Sequence, residues 1–493
     1  MFSSRCPCQI SLLAEWIKSS KYFTAFTGAG ISTSCGVPDF RSGMNTVLQT
    51  GAGAWTLRAE EQKIGRRVSQ AKELKRVSTL NAIPSHAHMS LVALCQAGLL
   101  RFLVSQNTDG LHRRSGFPTA RLAELHGNSN LERCASCGKE YLRDYRTRAP
   151  HIGVLEHDTG RLCAKCGGKL RDTIINFSES LPEKDLNAAF ASAERSDLCL
   201  VLGSSLRVTP AASIPEIVAK KPRGRLVIVN LQATPLDSEA AMRIGAQIDT
   251  VMERLMAKLG LQIPPFVLKR SVQVAQWIAQ PAANVAEAAP AAAAAASAPS
   301  KAPAASAAGL STPVEPRLMV RISGIEPDGT PASLFSEVRV GAARSENEPH
   351  TFSLRMPEDS PAGGSPRSVE AIAVPYGHYR EPPVSLRVEL APNTVSTWTL
   401  EYDPVTTGSW TRVERTHNKG GEEARAELEA LTGAKIVPAP SKQAASASPG
   451  TGAAAASSSA AASSSVSSVS KQLHSVRLGE ESKTNSKSPA KTK

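Results

Sequence analysis

The stretch TGAGISTSCGVPDFRS, Thr27 to Ser42, follows an apolar run that begins at Lys21, and it joins a glycine pair to a Pro-Asp-Phe-Arg segment. Glycines directly after a strand let a phosphate approach the backbone, so a nucleotide loop is one reading. The third glycine, Gly36, falls three residues beyond the position that G-x-G-x-x-G spacing requires. Spacing alone therefore leaves the ligand open.

Working outward, residues 10–20 carry apolar positions at helical spacing, and Lys21–Thr27 reads as a short buried strand entering the glycine loop. The pattern recurs. RFLVSQNTDGLH (101–112), DLCLVLGSSLRV (197–208) and GRLVIVNLQATP (224–235) are apolar strands ending in polar or glycine-rich groups, with helical segments near 85–97, 183–195 and 209–221. Uninterrupted apolar strands alternating with helices predict an α/β, doubly wound, Rossmann-like parallel sheet covered on both faces. Ligands of such sheets sit beyond the carboxyl ends of the strands, where these polar loops converge.

Composition divides the remaining chain. Residues 276–317 and 440–493 are dominated by Ala, Pro and Ser or end in Lys-rich sequence, and they cannot bury enough apolar surface to offset the entropy of ordering, so both are expected to be disordered. Between them, 318–415 shows short alternating runs such as VSLRVEL and STWTLEY, which predict an antiparallel β-rich domain. One helix is expected within 416–439, over about residues 421–432. Residues 1–275 make up the first domain. With no secretory leader and no run of eighteen strongly apolar residues, a soluble intracellular protein is expected. The net charge of +13 and pI of about 9.4 favour a polyanionic neighbour, nucleic acid or chromatin, with the basic end (six Lys or Arg against two Glu over 471–493) as a contributor.

Four of the nine cysteines form two CxxC pairs, Cys134/Cys137 and Cys163/Cys166, with glycines behind each pair. Each such turn aims two thiolates at one tetrahedral ion, so an insert over about 128–172 is expected to hold one Zn2+. Four thiolates leave no open coordination position, which makes the metal structural. The chemistry must come from the polar strand ends, where Gln106, Asn107, Asp109 and His126 lie.

GAGIS (28–32), GVPDFR (36–41), SQNTDGLH (105–112), ELHGN (124–128), the paired CxxC motifs, GSSL (203–206) and VNLQ (229–232) together resemble the sirtuins, NAD-dependent protein deacylases, over about residues 20–262. GAWT (53–56), RSGFP (114–118), RDTIINF (171–177) and LVIVNLQATP (226–235) look most like class IV, the nuclear, chromatin-associated branch. The resemblance implies that Ala29, Gly30 and Thr33 bring backbone to the NAD phosphates at a helix start, where amides and helix dipole favour anions. It implies that Asp39 belongs to the nicotinamide pocket, Phe40 shields the adjoining ribose, Arg41 supplies charge, and Asn107 and Asp109 shape the nicotinamide side. Trp55, Gln106, Gly203, Ser205, Asn230, Gln232 and Ile248 are the remaining NAD contacts it implies.

The implied chemistry consumes NAD. The acyl-lysine carbonyl oxygen attacks the ribose carbon as nicotinamide leaves, and neutral His126, with Asn107 as the other catalytic residue, takes a proton from a ribose hydroxyl, so the acyl group passes from lysine to ADP-ribose. Two positions depart from the family pattern. The link between Arg41 and Trp55 carries NTVLQTGAG and is longer than is usual for class IV, and Ser178 stands where many members have Gly before Glu179. The expected substrates are acylated-lysine proteins, histones among them, with no membrane contact. Mono-ADP-ribosyl transfer at the same site is the second enzymatic reading, and a weakly active chromatin scaffold is the third.

Overall fold

The computed structural model describes residues 6–65, 77–148, 156–279, 317–326, 330–346, 349–355, 368–375, 383–433 and 435–436. The tail read over 440–493, and residues 280–316 of the Ala/Pro-rich segment, lie outside them. In chain order the first part comprises β1 (Phe23–Thr27), β2 (Leu100–Ser105), β3 (Leu122–Glu124), β4 (Leu131–Cys134), β5 (Glu140–Leu142), β6 (Asp158–Leu162), β7 (Lys169–Asp172), β8 (Leu198–Leu202), β9 (Arg225–Val229) and β10 (Met242–Ile244). Its helices are α1 (Cys6–Ser19), α2 (Ala54–Ile64), α3 (His86–Gln96), α4 (Leu111–Arg114), α5 (Glu183–Arg195), α6 (Ser213–Ala219) and α7 (Ile248–Leu259).

Six of these strands form one sheet in the order β10-β9-β8-β1-β2-β3, and every pairing in it is parallel. Side chains alternate between its two faces. Phe23, Ala25, Leu200 and Leu202 pack with Leu13 of α1, Leu94 of α3 and Leu255 of α7, while Phe26, Val104, Val201 and Ile228 pack with Ala193 of α5 and Val218 of α6. Burial on both faces is why these strands read as unbroken apolar runs. From β1 the chain builds outward first through β2 and β3 and later through β8, β9 and β10. The switch at β1 opens a crevice above the carboxyl ends.

The insert folds as a separate four-stranded antiparallel sheet, β5-β4-β7-β6. Among the described residues its apolar cluster consists of Cys134, Tyr141, Cys163 and Leu170, too few to hold a fold by burial alone. The insert forms a small lobe beside the crevice of the large one.

The C-terminal part contains β11 (Leu268–Ala279), β12 (Arg317–Ile325), β13 (Pro331–Ala332), β14 (Phe335–Val340), β15 (Ala343–Ser345), β16 (His350–Arg355), β17 (Ser368–Pro375), β18 (Val384–Glu389), β19 (Thr394–Asp403), β20 (Ser409–Lys419) and α8 (Gly421–Thr432). Two antiparallel sheets, β13-β12-β11-β19-β20 with β16 beside β12, and β15-β14-β17-β18, sandwich Val272, Val274, Phe335, Leu386 and Trp398. β11 lies between β12 and β19. A boundary at residue 275 therefore cuts a central strand of the sandwich, and 276–279 is strand rather than linker. The strand escapes pattern reading because its other face is covered as well: Ala275 packs against Ala424 and Leu428 of α8.

Candidate active site

A crevice of about 1650 Å³ lies above the carboxyl ends of β1, β2, β8 and β9 and is bounded on its far side by residues 175–181. The structure brings together there all the candidate residues outside the insert: Ala29, Gly30, Thr33, Asp39, Phe40, Arg41, Trp55, Gln106, Asn107, Asp109, His126, Gly203, Ser205, Asn230, Gln232 and Ile248.

His126 follows β3 on an irregular segment, and its Nδ1 lies 2.9 Å from the carbonyl oxygen of Gln106. A carbonyl only accepts, so Nδ1 carries the proton and Nε2 is left as the acceptor. Burial lowers the pKa of the ring, against the pull of the Gln106 carbonyl in the other direction. The imidazole is thus neutral near pH 7 with a free lone pair. The next residue, Gly127, has φ of 75°, and a Cβ there would lie 1.7 Å from the Thr173 carbonyl oxygen. Only glycine permits the two interlobe crossings to run this close.

Asn107 is pinned by its side-chain amide, which donates to the Gly28 carbonyl at 3.1 Å and to Ser32 Oγ at 3.4 Å. Ser32 Oγ in turn donates to the Asp109 carboxylate at 2.7 Å, and the other oxygen of Asp109 accepts from the Leu111 amide at 3.0 Å. Ser204 Oγ donates to Gln106 Oε1 at 2.7 Å. The polar floor is therefore fixed before any ligand arrives. Ser32 and Ser204 were not singled out from sequence; Ser32 lies within the GAGIS motif, three residues after Ala29.

After β1 the chain forms a seven-residue 3-10 helix, Ala29–Cys35, ended by Gly36 at φ 83°. The Gly30 amide donates to the Gly203 carbonyl at 2.8 Å, and a Cβ on Gly30 would meet Gly203 Cα at 2.7 Å. Close packing of two strand ends accounts for the glycines, and the Gly30 amide is already engaged.

Above the floor lies an aromatic rim. The Arg41 guanidinium sits 4.3 Å from the Trp55 ring centroid and donates to Ser205 Oγ at 3.3 Å; Phe40 and Phe177 flank Trp55 at 5.0 and 5.8 Å. Phe40 is 45% exposed and Phe177 75%, unusual for such side chains unless a ligand covers them. The long link between Arg41 and Trp55 is closed at its neck, where the Gly53 amide donates to Ser42 O at 2.8 Å and the Trp55 amide to Phe40 O at 2.9 Å. The residues between Ser42 and Gly53 loop out from this neck. At the opposite wall Ser178 adopts φ 76°, the left-handed region that favours glycine. Cys35 also lines the crevice, but burial, then Asp109 and Asp249, push its thiol up to about 12, so it stays protonated and is no nucleophile.

In the small lobe the Sγ atoms of Cys134, Cys137, Cys163 and Cys166 all lie within 4.8 Å of one another. Cys134 and Cys166 are 3.5 Å apart and Cys137 and Cys163 3.6 Å, close to the ~3.8 Å edge of a tetrahedron with Zn–S bonds of about 2.3 Å. The four are arranged to bind one zinc ion, with no position left for water or substrate.

Residues 28–210 match the family model described as Sir2 family. An NAD-dependent protein deacetylase of Oceanobacillus iheyensis is 38% identical over 245 residues, which cover 48% of this chain and 94% of that protein. The chain belongs to the Sir2 family. NAD-dependent protein deacetylase SRT1 of Arabidopsis thaliana is 45% identical over 264 residues, 53% of this chain and 51% of its own. Human NAD-dependent protein deacetylase sirtuin-7 is 42% identical over 261 residues, 52% and 60% of the two chains. The chain thus spans only about half the length of the plant relative, and the Sir2 model ends well before β11. Among the described residues no helix is long and apolar enough to cross a membrane.

Proposed function

We propose that this Sir2-family chain is an NAD-dependent protein-lysine deacylase acting on chromatin proteins, histones among them, in the nucleus. The observation that carries the reading is His126, a neutral imidazole at the crevice wall whose tautomer leaves Nε2 free. The crevice exceeds the roughly 300–1,000 Å³ typical of small-ligand pockets, leaving room for a dinucleotide and a lysine side chain together. The net charge of +13 suits a chromatin setting.

The donor set fits NAD. Arg41 and Ser205 offer charge and a hydroxyl for phosphates, while Asn230 and Gln232 offer amides near the β9 end for ribose. Phe40 and Trp55 would pack against the bound cofactor and shield it from water. When bound, NAD supplies an electrophilic ribose carbon, nicotinamide as leaving group and a hydroxyl to receive the acyl group. His126 Nε2 takes the proton of that hydroxyl, while its Nδ1–H stays on the Gln106 carbonyl and keeps the ring oriented. Asn107, held on Gly28 and Ser32, and Asp109, held on Ser32 and Leu111, orient the nicotinamide side. The zinc cysteines shape one lobe and take no part in the reaction.

The test is a panel of acyl-lysine histone peptides incubated with the full chain, with and without NAD. Acyl loss with matching nicotinamide release, only when NAD is present, is expected. Acyl loss independent of NAD, or none at all from a folded, zinc-loaded protein, would sink the reading.

A further inference from the structure

The C-terminal sandwich touches both lobes, and in different ways. On the large lobe the contact is apolar: Phe266 and Leu268, with Tyr402 and Trp410, pack against Met89 of α3. On the small lobe it is polar and falls on three consecutive residues. Arg270 of β11 donates to Asp144 through Nε at 2.8 Å and through a second nitrogen, Ser333 hydrogen-bonds the Tyr145 side chain, and Glu326 is near enough to help raise the pKa of Arg143.

The gripped stretch leads directly into the crevice. Arg146 lines it. Arg148 donates to both oxygens of Asp172 at 3.0 Å and to Asn176 Oδ1 at 3.1 Å, and Asn176 is also tied to Glu179 through its amides. Residues 175–181 form the far wall, so the ion pair on Asp144 is joined by the short backbone stretch 144–148 to the hydrogen bonds of Arg148 on that wall. The Asp144 side chain is only 6% exposed, and a carboxylate so buried is costly unless its cation stays in place. Apolar packing fixes the sandwich to one lobe, and directional charge contacts fix the other lobe relative to it.

We propose that the sandwich is an intramolecular brace that sets the position of the small lobe over the crevice, with Arg270 and Asp144 as its positioning pair. The peptide kinetics used to test this rest on the deacylase reading, whereas amide exchange does not.

The experiment compares full-chain Arg270→Ala, Asp144→Ala and the double variant with wild type, reading amide exchange over 173–180 together with kcat and KM for an acyl-peptide. Each single change should speed exchange there by about fivefold and raise peptide KM by a similar factor, with kcat within about twofold. The double variant should be no worse than either single, as for two groups sharing one interaction. Arg270→Lys should restore part of the protection. Should Arg270→Ala fail to fold, Ser333→Ala is expected to show a smaller effect of the same kind. Unchanged exchange over 173–180 in a folded variant, additive effects in the double variant, or a fall in kcat at constant KM would overturn the brace. A wild-type chain without NAD-dependent activity would count against the deacylase reading alone, and exchange would still decide the brace.

Discussion

The two lobes that face each other across the crevice are held together by different forces. The large lobe buries both faces of a six-stranded sheet under helices, with Leu13, Leu94, Leu103 and Leu200 among its fully buried side chains. Among its described residues the small lobe has one apolar cluster, and two of that cluster's four members are metal-ligand cysteines. Its other cohesion is ionic: Glu132, wholly buried, takes Arg143 at 2.7 Å and Arg161 at 2.8 Å. Chemistry follows the same division. His126, Asn107 and Asp109, the groups proposed to carry the chemistry, belong to the lobe held by apolar burial, while the opposite wall depends on thiolates and salt bridges.

The largest effect should come from the large lobe's base. His126→Ala is expected to lower the deacylation rate by about a hundredfold to ten-thousandfold, with melting temperature and zinc content unchanged; nicotinamide exchange, which precedes the base-dependent step, should survive better than deacylation. Equal loss of both would move His126 from base to binding residue. Next comes the metal. Cys163→Ser, or chelation, should release zinc and raise amide exchange throughout 131–172 while β1 and β8 stay protected; a zinc-free protein with a protected small lobe would erase the contrast between the lobes.

Acid should strike the large lobe through a pair of buried histidines beneath the crevice floor. His88 of α3 and His112 of α4 are buried with ring centroids 4.9 Å apart, and burial holds each at about 3. Their immediate partners are Ser85 on His88 and Thr27 on His112, with Asp109 close enough to oppose the shift in His112. Because the folded-state values lie below the unfolded value of about 6.5, the unfolded chain binds the extra protons. Their stability contribution is complete above about pH 6.5 and is lost as pH falls toward 3. A melting temperature that falls less steeply with pH in His112→Gln than in wild type would confirm the source; identical profiles would assign the acid loss elsewhere.

The smallest effect concerns the far wall. Ser178→Gly relieves a left-handed φ and should stabilise the fold by up to about 1 kcal/mol, a rise of a few degrees in melting temperature, without altering zinc content. A destabilised Ser178→Gly protein would mean that the hydroxyl supplies a contact worth more than the strain.

Much of this was legible because it follows from local chemistry. The apolar strands β1, β2, β8 and β9, their polar ends and the CxxC spacing are each written within a dozen residues. β3 and β10 escaped because three residues are too few to show a period, and β11 because α8 covers the face that would otherwise be polar. The sequence motifs point to the crevice residues but not to the hydrogen bonds that fix them, since Ser32 reaches Asp109 across 77 positions of chain. The role of Gly30 was likewise hidden, because its neighbour Gly203 arrives from a distant strand end. Ser178 did announce itself, as a serine at a position where the family pattern has glycine.

The central claim is that the crevice consumes NAD in moving an acyl group from lysine. Its most direct test is the stoichiometry of a single incubation of the full chain with NAD and an acyl-lysine peptide, following peptide, nicotinamide and the ADP-ribose product together by mass spectrometry. The account predicts one nicotinamide and one acylated ADP-ribose for each lysine freed. Free carboxylic acid formed without nicotinamide release, or ADP-ribose found on protein while the peptide stays acylated, would contradict it.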